Sequence, residues 1–79
     1  MGVDVLYFAS LRDAAGRERE RIEQPVEGLA ALYEALRLRH GFALPRDRVR
    51  VAVNGAFVAW DHVARDGDEI VFLPPVSGG

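Results

Sequence analysis

The residues of this chain best suited to covalent chemistry are its last six, Pro74-Pro75-Val76-Ser77-Gly78-Gly79. Two prolines fix φ and lack N–H groups, so strand pairing ends at Pro74 and Pro75 and the backbone leaves in an extended path. Val76 continues that path, and Ser77, Gly78 and Gly79 carry almost no side-chain bulk. Six extended residues reach up to roughly 20 Å. Glycine backbone passes where a Cβ would collide, so this segment is shaped to enter a narrow channel in another protein. Its tip is an α-carboxylate, ionised at neutral pH because its ordinary pKa is about 3.3–3.7. A carboxylate oxygen can attack the α-phosphate of ATP and become an acyl-adenylate, whose carbonyl is open to a sulfur or nitrogen nucleophile. Gly79 is therefore the candidate reacting residue and Gly78 the candidate for threading. Pro74, Pro75, Val76 and Ser77 are the arm that a partner would grip. A frayed glycine end is the plainer alternative.

The activating machinery must come from elsewhere. The chain has no cysteine, so thiolate nucleophiles, thiolate metal sites and disulfides are excluded. It has no glycine-rich phosphate loop. All ten of its basic residues are arginine, so it carries no lysine for attachment to itself. The two histidines, His40 and His62, have no third ligand at useful spacing, and no metal is expected. Asp66, Asp68 and Glu69 read as a turn with solvated charges. Arg12 reads as half of an ordinary surface ion pair.

Composition sets the frame in which this tail is held. The 79 residues fit one domain, 1–79, with 74–79 as its tail. Hydrophobic residues make up 49% and charged residues 28%, a balance that folds. The formal charge of −2 argues against nucleic acid as the main partner. Arg46, Arg48 and Arg50 cluster locally but read as a solvated strand face. No stretch is long and apolar enough to span a membrane, and no signal peptide is visible, so a cytoplasmic location is expected.

Periodicity gives the elements. Residues 3–11, VDVLYFASL, read as a strand and DAAG at 13–16 as a loop. Residues 17–24, RERERIEQ, alternate in charge and read as an exposed edge strand stopped by Pro25. From Glu27 the period changes: Leu29, Leu32, Tyr33 and Leu36 share one helical face, with Gly41 as its C-terminal cap. A loop around Pro45 follows. Val49, Val51 and Val53 alternate as a strand, Asn54-Gly55 signals a two-residue hairpin, and AFVAW returns from it. RDGDE at 65–69 is a turn, and residues 69–73, EIVFL, form the last strand. One main helix over a mixed sheet, with the two most apolar strands central, is a ubiquitin-like β-grasp arrangement of the α+β class.

One helix covers only one face of such a sheet. Val3, Val5 and Tyr7 point to one side with Ile70 and Phe72; Leu6, Phe8, Val71 and Leu73 point to the other. Phe57 and Trp60 are expected to join this second group. An apolar patch of this kind marks a partner surface. The alternative is that loops or the tail fold over it.

The stretches LYFASLRDAAG at 6–16, VAVNGAFV at 51–58 and DGDEIVFLPPVSGG at 66–79 resemble the small subunit of molybdopterin synthase, the MoaD-type sulfur carriers. The resemblance runs nearly end to end and is most specific in the last fourteen residues. It implies that an E1-like enzyme using Mg-ATP adenylates Gly79, which then becomes a thiocarboxylate. It implies docking on the large subunit of molybdopterin synthase, in a heterotetramer, with sulfur donated to cyclic pyranopterin monophosphate. No cofactor is implied on this chain itself. Phe8, Phe57 and Leu73 fall at positions matching the family's apolar docking surface, and Leu73 stands where an aromatic is also found. Rival readings are a β-grasp sulfur carrier for thiamine, cysteine or tRNA thiolation, a ubiquitin-like protein modifier, and a plain interaction module.

Overall fold

Alternation builds the first strand, β1 (Val3–Tyr7), where Val3, Val5 and Tyr7 are buried and Asp4 and Leu6 are half-buried. The structure is a computed structural model that describes residues 2–23 and 28–75. The strand stops four residues short of the expected end. Phe8 is still extended (φ −124°, ψ 149°), but Ala9 adopts φ 51° and opens a short helix, α1 (Ala9–Ala15). A left-handed alanine costs roughly 1–2 kcal/mol. The turn it makes directs Leu11 into the core, where it is 1% exposed. The expected loop at 13–16 is the last turn of this helix, capped by Gly16 at φ 74°, whose N–H donates to the Arg12 carbonyl.

The charged run forms β2 (Arg19–Ile22), an edge strand antiparallel to β1, as its composition predicts. Pro25 and Glu27, taken as strand stop and helix start, lie outside the described residues. The main helix, α2 (Leu29–His40), has the expected twelve residues. Leu29, Leu32, Tyr33 and Leu36 are all buried along its one apolar face. Gly41 closes it in the left-handed conformation, and Arg37, Arg39 and His40 sit in the last turn, where positive charge suits the helix dipole. One 3₁₀ turn (Arg46–Arg48) leads into β3 (Arg50–Val53).

Asn54 and Gly55 both take positive φ, 51° and 88°, as a type I′ hairpin turn requires. They return the chain into β4 (Ala56–Val58). After an irregular segment, β5 (Glu69–Leu73) completes a five-stranded sheet of order β2-β1-β5-β3-β4. β1 and β5 are parallel neighbours, and the other pairings are antiparallel. Both helices lie on one face. There Val3, Val5, Tyr7, Ile70 and Phe72 pack with Leu11, Leu29, Tyr33 and Leu36 in one cluster. Each large side chain buried here contributes about 1.5–3 kcal/mol.

One acid is turned into this face. Glu20 pairs with Val5 across the sheet, which points its side chain inward beneath the end of α2. Its carboxylate accepts hydrogen bonds from the Tyr7 hydroxyl at 2.7 Å and from Arg39 at 2.9 Å, and it lies 2.9 Å from His40 Nε2. Burial alone would raise its pKa; the contacts with Tyr7, His40 and Arg39 outweigh burial and hold the carboxyl below the usual carboxylate range. Burial, and then the hydrogen bond to this carboxylate, push the Tyr7 hydroxyl far upward. A carboxyl whose folded pKa is depressed contributes stability above its ordinary value, and that stability is lost as pH falls through the folded value. Glu20→Leu is therefore expected to cost about 1–3 kcal/mol at neutral pH. The gap between wild type and variant should narrow as pH drops below 4.5, the ordinary value for this group. Urea unfolding across pH measures both; a gap that stays constant with pH would contradict this account.

Candidate functional site

The face without helices carries the candidate site. Register places Leu6 beside Val71, Val71 beside Ala52 and Ala52 beside Phe57, so these four side chains form one apolar row across β1, β5, β3 and β4. Leu73 lies two residues further along β5, on the same side as Val71. Phe8 follows Leu6 at the end of β1. Phe8 is 48% exposed and Phe57 59% exposed, unusual for large aromatics on a small sheet. The three residues matched to a docking surface, Phe8, Phe57 and Leu73, are thus brought to one face. Trp60 does not join them. Trp60 is three residues from Phe57, so a period of two sets it on the opposite side, with Val58, which also packs against the core. Its ring stacks on Phe72 at 5.9 Å and lies 5.7 Å from Tyr33, on the helix side.

The face leads to the tail. Leu73 pairs with Arg50 in the last register position of β5, and Pro74 and Pro75 follow outside any strand. The prolines end the pairing as their missing N–H groups dictate. Val76, Ser77, Gly78 and Gly79 lie outside the described residues.

Polar groups on the face divide into two kinds. Arg21 lies 3.5 Å from Asp4, and Arg19 lies 3.7 Å from Glu69. Arg50 instead lays its guanidinium over the Phe57 ring, 4.3 Å from the centroid. On the helix side, Arg46 lies 5.9 Å from the Trp60 ring centroid. Neither arginine makes an ion pair among the described residues. Nor does Arg12, which corrects its expected place in a surface ion pair; it lines a shallow cleft with Leu6, Phe8, Glu18 and Arg19.

The remaining polar candidates have structural roles. Asp66 accepts a hydrogen bond from the Gly2 N–H at 2.6 Å. Asp68 accepts from the Arg65 N–H at 2.7 Å and from Asn54 Nδ2 at 2.9 Å, and these two bonds hold its carboxyl below the usual range. Asn54 Oδ1 accepts in turn from the Glu69 N–H, locking the hairpin turn to the start of β5. His40 is held against Glu20. Two contacts escaped the sequence reading. Glu20 was legible from Ile22, which shares its face and is buried. The Arg50–Phe57 stack was legible from the two-residue turn, which fixes the register of β3 on β4.

Among known proteins, the ThiS family model matches residues 5–79. The molybdopterin synthase sulfur carrier subunit of Escherichia coli (strain K12) is 36% identical over 80 residues, covering 98% of this chain and 99% of the relative. The crystal structure of SAMP1 from Haloferax volcanii superposes with a TM-score of 0.81 at 27% identity, covering 100% of both chains. Subunits 1 and 2 of the molybdopterin-converting factor from Helicobacter pylori 26695 have been solved as a protein–protein complex. A chain of it is similar to this one with a TM-score of 0.70 at 28% identity, covering 100% of both. These likenesses agree with the ubiquitin-like β-grasp expected from the element pattern.

The two faces should respond differently to truncation. Phe8→Ala and Phe57→Ala are expected to cost less than about 1 kcal/mol of folding stability, since each ring has about half or more of its surface in solvent. Phe72→Ala, which empties a fully buried site, should cost about 3–5 kcal/mol. Urea unfolding of the three variants decides whether the open-face aromatics serve the fold or something outside it.

Proposed function

This chain belongs to the ThiS family, and we propose that it is the sulfur carrier subunit of a molybdopterin synthase. An E1-like enzyme with bound Mg-ATP adenylates the Gly79 carboxylate, releasing pyrophosphate. A sulfur donor then displaces AMP, leaving a thiocarboxylate on Gly79. The carrier docks on the large subunit through Phe8, Phe57 and Leu73. Pro74, Pro75, Val76 and Ser77 lead Gly78 and Gly79 into that subunit's active site. There the sulfur passes to cyclic pyranopterin monophosphate, and water returns the carboxylate. Two large subunits, each with one carrier, make a heterotetramer. The chain binds no cofactor of its own, and a cytoplasmic location suits its dependence on ATP.

The observation that carries the reading is the apolar row across β1, β5, β3 and β4, flanked by the exposed rings of Phe8 and Phe57, on a sheet whose strand β5 runs into Pro74-Pro75. It offers a partner a surface to bury at the root of a segment built to thread. The full-length likeness to a sulfur carrier subunit supports it, and so does the Helicobacter pylori complex of two subunits. A thiocarboxylate also explains how a chain without cysteine donates sulfur. The likeness to small archaeal modifier protein 1 favours a second reading, in which the activated Gly79 is joined to lysines of other proteins.

Intact-mass analysis after incubation with ATP, a sulfur source and the activating enzyme tests the proposal. The expected result is a gain equal to exchanging one oxygen for sulfur, abolished by deleting Gly79. Amide adducts on other proteins, with no such gain, would favour the modifier reading. A companion measurement is affinity for the large subunit, which Phe57→Ala should weaken by roughly tenfold or more.

A further inference from the structure

The open face is not purely apolar, and its charges are unevenly settled. Register puts three arginines on it: Arg19 beside Leu6, Arg21 beside Asp4 and Arg50 beside Leu73. The first two have carboxylates at 3.7 Å and 3.5 Å on the same face. Arg50 has none among the described residues. It sits at the end of the sheet from which the tail leaves, exposed, with its guanidinium 4.3 Å from the Phe57 centroid. With its Cζ over the ring, the guanidinium makes no side-chain hydrogen bond among the described residues. Stacking also limits the motion of a long side chain, so less freedom remains to be lost when a ligand is bound. A planar, fixed, uncompensated guanidinium beside an apolar row fits a carboxylate that arrives with an apolar partner surface. Carboxylate and guanidinium then meet through two parallel hydrogen bonds. The chain's net charge of −2 makes a phosphate backbone a poor alternative.

We propose that Arg50, held on Phe57, is the polar anchor of the docking face, and that the protein docked there presents an Asp or Glu side chain to it. This rests on the sulfur-carrier reading for the identity of the partner, the large subunit of molybdopterin synthase. The anchor sets the register of docking: it ties the end of β3 to the partner at the level where Leu73 hands over to Pro74. It also makes association depend on charge, which an all-apolar face would not.

The test is the affinity of the purified chain for the large subunit, measured from about 50 mM to about 500 mM salt. Arg50→Met keeps an unbranched stem over Phe57 and removes the charge. It should bind roughly tenfold weaker at low salt and show a flatter salt dependence than wild type. Arg50→Glu should be weaker still, and reversing one acidic side chain of the large subunit should restore it. Near-ultraviolet circular dichroism checks that both variants are folded. If both bind within about twofold of wild type while Phe57→Ala weakens binding, the anchor is wrong and the face works through its rings alone. Tighter binding by Arg50→Glu would also overturn it, as expected if the chain's own terminal carboxylate held Arg50. If Phe8→Ala and Phe57→Ala are silent as well, the docking face itself falls, and the anchor with it.

Discussion

The parallel pairing of β1 with β5 is the constraint on which the rest of the structure depends. Asp4 to Tyr7 lie against Glu69 to Phe72 in unbroken register. Because strand side chains alternate with a period of two, this one alignment fixes which residues of both strands meet the helices. Val5, Tyr7, Ile70 and Phe72 go inward, and Leu6, Val71 and Leu73 go outward. A slip of one residue would exchange the core for the open face. The alignment is secured at one end by the Gly67 N–H donating to the Gly2 carbonyl and the Asp4 N–H to the Asp68 carbonyl. Asn54 secures β5 from its other side.

Among the described residues, two helices on one side and none on the other give the sheet unequal faces. On the covered side, aromatic rings run from Tyr7 through Phe42 and Tyr33 to Phe72 and Trp60, with neighbouring centroids 5.2–5.9 Å apart. Glu20 closes the row at the β2 edge and satisfies the Tyr7 hydroxyl, while the Tyr33 hydroxyl donates to the Leu44 carbonyl. No buried side-chain nitrogen or oxygen among the described residues lacks a partner. The open side has the opposite character: its rings reach solvent, and among the described residues Arg50 has no carboxylate partner. The asymmetry is what a small carrier requires, since one face must hold the fold while the other stays available.

Much of this was legible in the residues. β1, α2, β3, β5 and the Asn54-Gly55 turn each carry their own period or turn chemistry, and the apolar surplus on the second face followed from parity alone. What escaped did so for local reasons. α1 has only seven residues, too few for a helical period to stand out. It also begins at Phe8 without a side-chain cap and through a left-handed Ala9, a conformation that no rule assigns to alanine. Trp60 was misplaced because it was grouped with Phe57, three residues away, although a period of two puts those rings on opposite faces. Glu20 was hidden by composition: in a run of alternating charges, only the buried Ile22 betrays which side faces in. The candidate reacting residue, Gly79, and Gly78 before it lie outside the described residues.

The position of β5 also sets the order in which this protein can be built. The strand that comes last in the chain stands in the middle of the sheet, between β1 and β3. Until it arrives, the β1–β2 and β3–β4 ribbons are two separate pieces with bare apolar edges, and neither has a neighbour to satisfy its backbone. Closing so long a loop makes folding slow relative to helical domains of the same size. The insertion of β5 is also the event that fixes Leu73 against Arg50 and so sets where Pro74 and Pro75 begin. The root of the tail and the core of the sheet are therefore completed together: a molecule caught half-assembled has no defined place from which its last residues depart.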